Sequence, residues 1–206
     1  MAEATATRRI VDQAMELFRV QGYYHTSPDQ VMAAAQVSKS TFYYHFRSKE
    51  ALGRAVLDAQ ERSYWQHRLL PTIGDASRPA AVRLRDWFTS SAEAFEAREY
   101  RGGCPFAILG LELADANESL RSRLHEILLS WREPLAACVR DGVASGELRR
   151  DLAPESLAAL LVAQYEGALV LAVIGKTADP LRLAGELVPL LLARPSGHAE
   201  GETSCS

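Results

Sequence analysis

The chain has 206 residues, enough for one large domain or for a small head and a larger body, and 48% hydrophobic with 24% charged residues is the composition of a globular protein with its own core. Three widely separated cysteines, Cys104, Cys138 and Cys205, with no CxxC pair, argue against a disulfide-stapled module and fit a reducing cytoplasm. A net charge of −3 argues against a general nucleic-acid binder.

The charge is unevenly spread. Residues 1–70 carry 9 Lys+Arg against 7 Asp+Glu, a net +2, and the remainder is net −5. No acid stands between Asp29 and Glu50, whereas Lys39, Arg47 and Lys49 do. A basic island on an acidic protein suits a site that meets phosphates while the body is repelled from them.

In chain order, Ile10, Ala14, Leu17 and Phe18 recur at helical spacing within Arg8 to Gln21, with Arg9, Asp12, Glu16 and Arg19 opposite, and Gly22 is a stop signal. Ser27-Pro28 is a helix start: a hydroxyl to cap free N–H groups, then a proline where its missing N–H costs nothing. A short helix to Ala35 follows, Gln36-Val37 breaks it, and Ser38 caps the next, which is a helix-turn-helix pattern.

The third helix falls in SKSTFYYHFRSK, Ser38 to Lys49. At ~100° per residue, turning Phe42 and Phe46 inward puts Ser40, Thr41 and Tyr44 on the opposite face. Lys39 and Tyr43 then lie on one flank, Ser38 and His45 on the other. Hydroxyls, planar rings and a positive flank suit phosphate oxygens, base edges and thymine methyls. Ser48 caps a fourth helix reaching about Leu69, and Lys49 in its first turn opposes the helix dipole unless an anion binds there too.

Residues 8–52, with Leu17, Phe18, Gly22 and the run VSKSTFYYHFRSKEAL from Val37 to Leu52, resemble the DNA-binding region of the TetR family of transcriptional regulators. Gln36 departs from the usual turn glycine, and Ser40 from a frequent glycine on the groove face. By position, the resemblance implies DNA contacts at Ser38, Lys39, Ser40, Thr41, Tyr43, Tyr44, His45 and Lys49, with help from Thr26 and Ser27. His45 also reads as a packed or capping histidine.

Pro71 to Pro79 reads as a loop, so the body starts near residue 71. Ala80 to Ala97 carries Leu84, Trp87, Phe88, Ser91 and Phe95 on one side. Cys104-Pro105 opens a short apolar helix ending near Asp115, and Asn117 or Ser119 caps a longer one to Ala144, with a kink expected at Pro134. A helix from Pro154 to Ile174 is apolar nearly all round, and Pro180 to Leu192 also carries more leucine than one face needs. Gln164, Glu166, Asp179 and Glu186 interrupt these runs, so neither is expected to span a membrane. Their surplus apolar surface, with the TetR resemblance, implies a homodimer through a four-helix bundle. The last residues, 195–206, lack apolar groups and are expected to be disordered.

The expected fold is therefore all-α, about nine helices. A helix-turn-helix head occupies residues 1–52, its connector helix runs to about 70, and an effector-binding and dimerisation body spans 71–194. No zinc spacing, GxSxG elbow, Walker loop or GxGxxG fingerprint occurs, so neither an enzyme nor a metal or cofactor protein is expected. A carrier or enzyme that merely retains the head is the reading from another class.

The resemblance implies a cytoplasmic repressor that binds a palindromic double-stranded operator and is released by a small molecule. Trp87, Phe88, Phe95, Cys104, Phe106, Trp131, Gln164, Tyr165 and Glu166 are the candidate effector-lining residues, and the acidic body points to an uncharged or cationic apolar effector. Cys104 has two readings. At a helix start near Arg101 its thiolate is favoured, which suits a redox or electrophile sensor; alternatively it is a small packed core residue.

Overall fold

The periodic apolar residues of the first segment form one buried stripe. In the computed structural model, which describes residues 2–194 and their side chains from residue 5, α1 (Ala2–Gln21) turns Ile10, Val11, Ala14 and Phe18 inward. It begins before the expected Arg8 and stops at Gly22, whose φ of 84° lets its N–H close on the Phe18 carbonyl at 3.0 Å.

Three serine caps then set three helix starts. Ser27 and Gln30 form a reciprocal capping box at α2 (Pro28–Ala35), with Gln30 N–H to Ser27 Oγ at 3.2 Å and Ser27 N–H to Gln30 Oε1 at 2.7 Å. Ser38 Oγ accepts from Thr41 N–H at 3.1 Å to open α3 (Lys39–His45), and Ser48 Oγ from Ala51 N–H at 3.0 Å to open α4 (Lys49–Tyr64). Between α2 and α3, Gln36 takes the left-handed conformation (φ 52°, ψ 50°), a cost of about 1 kcal/mol for a non-glycine.

The connector continues from α4 through a π-helical turn, Trp65–Leu69, where Leu70 N–H reaches back to the Trp65 carbonyl at 3.0 Å. After turns over residues 71–79, α5 (Ala80–Glu96) buries Leu84, Trp87, Phe88, Ser91 and Phe95, the expected stripe. Cys104 and Pro105 start α6 (Pro105–Leu113), and Asn117 Oδ1 caps α7 (Glu118–Ser130) by accepting from Leu120 N–H at 2.9 Å.

The single kinked helix expected up to Ala144 divides at Trp131 into α7 and α8 (Arg132–Ala144). Pro134 has no N–H for the Ser130 carbonyl, and Leu135 N–H reaches Trp131 only at 3.4 Å. That division raises nine expected helices to ten among the described residues, completed by α9 (Pro154–Gly175) and α10 (Asp179–Leu192).

α4 packs on both α1 and α7, so the connector is shared by head and body, while α5 packs on α8 and α10 and α9 on both α8 and α10. By length and composition alone, the 22 residues of α9 are long and apolar enough to cross a membrane, a test that a core helix of a folded body also passes. Burial of Leu157, Ala158, Leu161, Tyr165, Ala168, Leu169 and Ala172 against neighbouring helices accounts for its inner side.

Candidate nucleic-acid interface and effector region

The exposed face of α3 is built from its own backbone geometry. Phe42 and Phe46 are buried, with ring centroids 6.1 Å apart, and this orients everything else. Ser38, Lys39, Ser40, Tyr43 and Tyr44 are exposed, Tyr44 at 74%. The Ser38 hydroxyl lies 2.9 Å from that of Ser40 and 2.8 Å from that of Thr41, a cluster with donors and acceptors at the helix start. Tyr43 stands edge-on to Phe42 at 5.2 Å and Tyr44 edge-on to His45 at 5.1 Å, so both rings are braced rather than loose.

Three contact candidates, Thr26, His45 and Lys49, are tied to other parts of the head. Thr26 is fully buried, its hydroxyl donating to the Gly22 carbonyl at 2.7 Å and accepting from Gln21 Nε2 at 3.1 Å, so this side chain is corrected from a DNA contact to a support of the turn. His45 Nδ1 sits 3.1 Å from the Thr7 hydroxyl, tying α3 to α1. Lys49 Nζ lies 4.4 Å from the Tyr23 ring centroid and 3.4 Å from the Tyr24 carbonyl, and burial lowers its pKa while the Glu112 carboxylate acts to raise it. Ser27, exposed at the start of α2, completes the set.

In the body, most of the expected effector-lining residues come together, but as a packed aromatic cluster. Tyr64 stacks on Trp131 at 4.3 Å and Trp87 on Tyr165 at 4.5 Å, while Phe88 and Phe106 meet these rings edge-on or tilted. Trp87 Nε1 donates to the Tyr64 hydroxyl at 2.9 Å and Tyr165 to the Ser91 hydroxyl at 3.0 Å. Phe95 is buried against Tyr100. Gln164 is corrected: it is exposed on the outer groove between α9 and α10, away from this cluster.

Of the two readings of Cys104, its surroundings favour the packed core residue over the thiolate. Burial pushes the thiol well above its ordinary pKa, and the neighbouring Glu166 adds to that, outweighing the N–H groups of Phe106 and Ala107 at the helix start. Glu166 itself is pushed up to about 7 by burial, partly offset by Cys104, and neither of its buried carboxylate oxygens has a well-formed hydrogen bond.

Residues that periodicity alone did not single out join head to body. Glu112 of α6 accepts from both the Tyr23 and Tyr24 backbone N–H groups. Arg123 of α7 pairs with Asp58 at 2.8 Å and with Glu61, both on α4. A lone acid in the apolar run of α6 was the available signal for Glu112.

A braced polar helix presented by a capped helix-turn-helix, on a helical body, defines a helix-turn-helix regulator. The family profile described as "Bacterial regulatory proteins, tetR family" matches residues 10–56, and "Tetracyclin repressor-like, C-terminal domain" matches residues 80–188. The chain is 33% identical over 181 residues to the HTH-type transcriptional repressor DhaR of Mycobacterium sp. (strain GP1), covering 88% of this chain and 89% of that protein. It is 32% identical over 177 residues to the transcriptional regulator AcuR of Cereibacter sphaeroides, covering 85% and 80%. Among solved structures, a regulatory protein TetR from Rhodobacter sphaeroides superposes with a TM-score of 0.83 at 28% identity, over 91% of this chain and 99% of that one. The chain belongs to the TetR family of transcriptional regulators.

Proposed function

We propose that this protein is a homodimeric, cytoplasmic repressor that sets the α3 helices of its two copies in successive major grooves of a palindromic operator and is released by a small molecule bound in the body. The observation that carries the DNA reading is the exposed face of Ser38, Lys39, Ser40, Tyr43 and Tyr44, held outward by buried Phe42 and Phe46. Side chains of this kind contact phosphates and base edges. The repressor named among the relatives supports the sign of regulation.

Pairing of two copies is supported by α9 and α10. Leu160, Leu171, Leu183, Leu187 and Leu191 are between 43% and 69% exposed and line a groove of about 300 Å³, and Ile174 and Leu190 are exposed on the same two helices. A contiguous leucine face on two adjacent helices is the kind of patch that a subunit interface covers. Release then follows from linkage: a ligand preferring the DNA-incompetent spacing lowers operator affinity only by its differential affinity for the two states.

Gel-shift titration at low salt with the DNA upstream of the protein's own gene tests the reading. A sequence-preferring complex of one dimer per site is expected; folded dimer with no sequence preference overturns it.

A further inference from the structure

Behind the head, α1, the end of α4 with its π-turn, the 98–103 loop and α6 enclose a cleft of about 330 Å³. It is apolar inside, with Met15 and Phe18 from α1, Tyr64 from α4, and Phe106, Ile108 and Leu109 from α6. A volume of that size matches a small organic ligand.

The remaining lining is polar and carries more cations than anions. Arg19, Arg68 and Arg98 border the cleft with His67, against the two carboxylates of α1, Asp12 and Glu16. Glu16 pairs with Arg19, which holds its carboxyl below the usual range, and Asp12 lies 3.6 Å from Arg8. Arg68 donates to the Ser90 carbonyl and Arg98 has no side-chain hydrogen bond, so among the described residues neither guanidinium has a carboxylate partner. Desolvation and then the positive charge of Arg68 lower the pKa of Arg98, with Tyr165 acting the other way and Arg19 adding a smaller downward push.

A second observation lies at the wall of the same cleft. Gln60 lines the cleft, is only 8% exposed, and its buried Oε1 has no hydrogen-bond partner. An unsatisfied buried amide is uncommon and calls for a partner. Its oxygen and nitrogen interchange by a flip, so it can donate to an acid as well as accept. The loop carrying Arg98 also holds Glu99 (φ 53°) and Tyr100 (φ 59°) in left-handed backbone, a conformation that non-glycine residues keep only where their surroundings hold them to it.

We propose that this cleft between head and body binds a small organic acid, its carboxylate paired with Arg98 and Arg68, its apolar part on Phe18, Phe106 and Leu109, and its polar end completed by the Gln60 amide. Guanidinium forks match carboxylates in geometry as well as charge. The site deepens the effector reading above and rests on it for its regulatory consequence, because the occupant touches both α1 of the head and α6 of the body.

The test is isothermal titration of the full-length protein with octanoate, octanol and octylamine. Octanoate is expected to bind at least tenfold more tightly than the other two. Arg98→Gln is expected to cut octanoate affinity at least tenfold, Arg98→Lys to recover only the part that charge alone supplies, and Gln60→Leu to weaken it several-fold. Arg98 is a surface residue, and circular dichroism checks that its variants keep their helix content. Octanoate binding no better than octanol, or wild-type affinity in Arg98→Gln, overturns the acid site. A parallel gel shift separates the two readings: octanoate that binds yet leaves the operator complex intact keeps the acid site and overturns release through this cleft.

Discussion

Glu112 of α6 clamps the turn after α1 by its backbone, with Oε2 accepting from the Tyr23 N–H at 2.9 Å and Oε1 from the Tyr24 N–H at 2.6 Å. The same carboxylate fills the space beside Gly22, where an added Cβ would meet it at 3.0 Å. One body side chain therefore holds the entry to the helix-turn-helix, and the Lys49 ammonium shares that junction through the Tyr24 carbonyl. Charged hydrogen bonds of this kind contribute about 1.5–3 kcal/mol each when buried and less where water reaches them. Glu112→Ala is expected to lower unfolding stability by about 1–2 kcal/mol. Amide exchange should quicken at Tyr23 and Tyr24, and unchanged protection there would remove the clamp.

Two α3-face variants separate reading from gripping. Tyr44 is exposed and braced on His45, so Tyr44→Ala is expected to weaken operator binding by roughly 1–3 kcal/mol and to relax preference at one base position. Lys49→Ala is expected to weaken binding to all sequences alike and to flatten the salt dependence by about one counterion. It also removes an ammonium seated over Tyr23, so a small loss of stability accompanies it. Binding isotherms at several salt concentrations check both, and equal effects on specific and random DNA for Tyr44→Ala would contradict its assigned role.

Legibility in the sequence followed the range of the interactions. Ser27, Ser38 and Ser48 were readable as helix starts because capping is settled within three residues. Phe42 and Phe46 were readable as the inward pair because the helix period alone places them. Thr26 was misplaced because its burial depends on Gln21 and Gly22 folding back over it. Gln164 was misplaced for another reason: a helix apolar all round has no stripe, so neighbouring Gln164 and Tyr165 could not be sorted into outer groove and inner cluster. The cationic cleft was hidden by net charge, since an acidic body average says nothing about Arg68 and Arg98 meeting at one junction.

The leucine face of α9 and α10 gives a prediction about assembly. Leu190 is 70% exposed on α10 and Ile174 76% exposed on α9, and leaving such side chains in water forgoes about 1.5–3 kcal/mol apiece. A double variant, Leu187→Glu with Leu190→Glu, is expected to sediment as a monomer with helix content intact and with operator affinity reduced at least a hundredfold. Sedimentation velocity across a concentration series reads this directly, and a persistent dimer would move the interface elsewhere.

Burial of Glu166 makes a prediction about pH in which the sign is decided by its raised pKa. The folded value of about 7 stands above the ordinary 4.5, so between these values the folded state holds a proton that the unfolded chain has released. Stability from this group is fully present below about pH 4.5, is lost as pH rises through 7, and stays lost above it. Glu166→Gln keeps the shape and removes the charge. It is expected to be more stable than the parent by about 2 kcal/mol near pH 8, with the advantage gone near pH 4. Urea unfolding at the two pH values measures it. The same substitution removes one of the two causes that raise the Cys104 pKa most, so alkylation of Cys104 at pH 8 should quicken while burial still holds it below the rate of a free thiol. A variant with parental stability at both pH values would mean that the carboxylate finds its compensation in the folded protein, and the Cys104 rate should then stay unchanged as well.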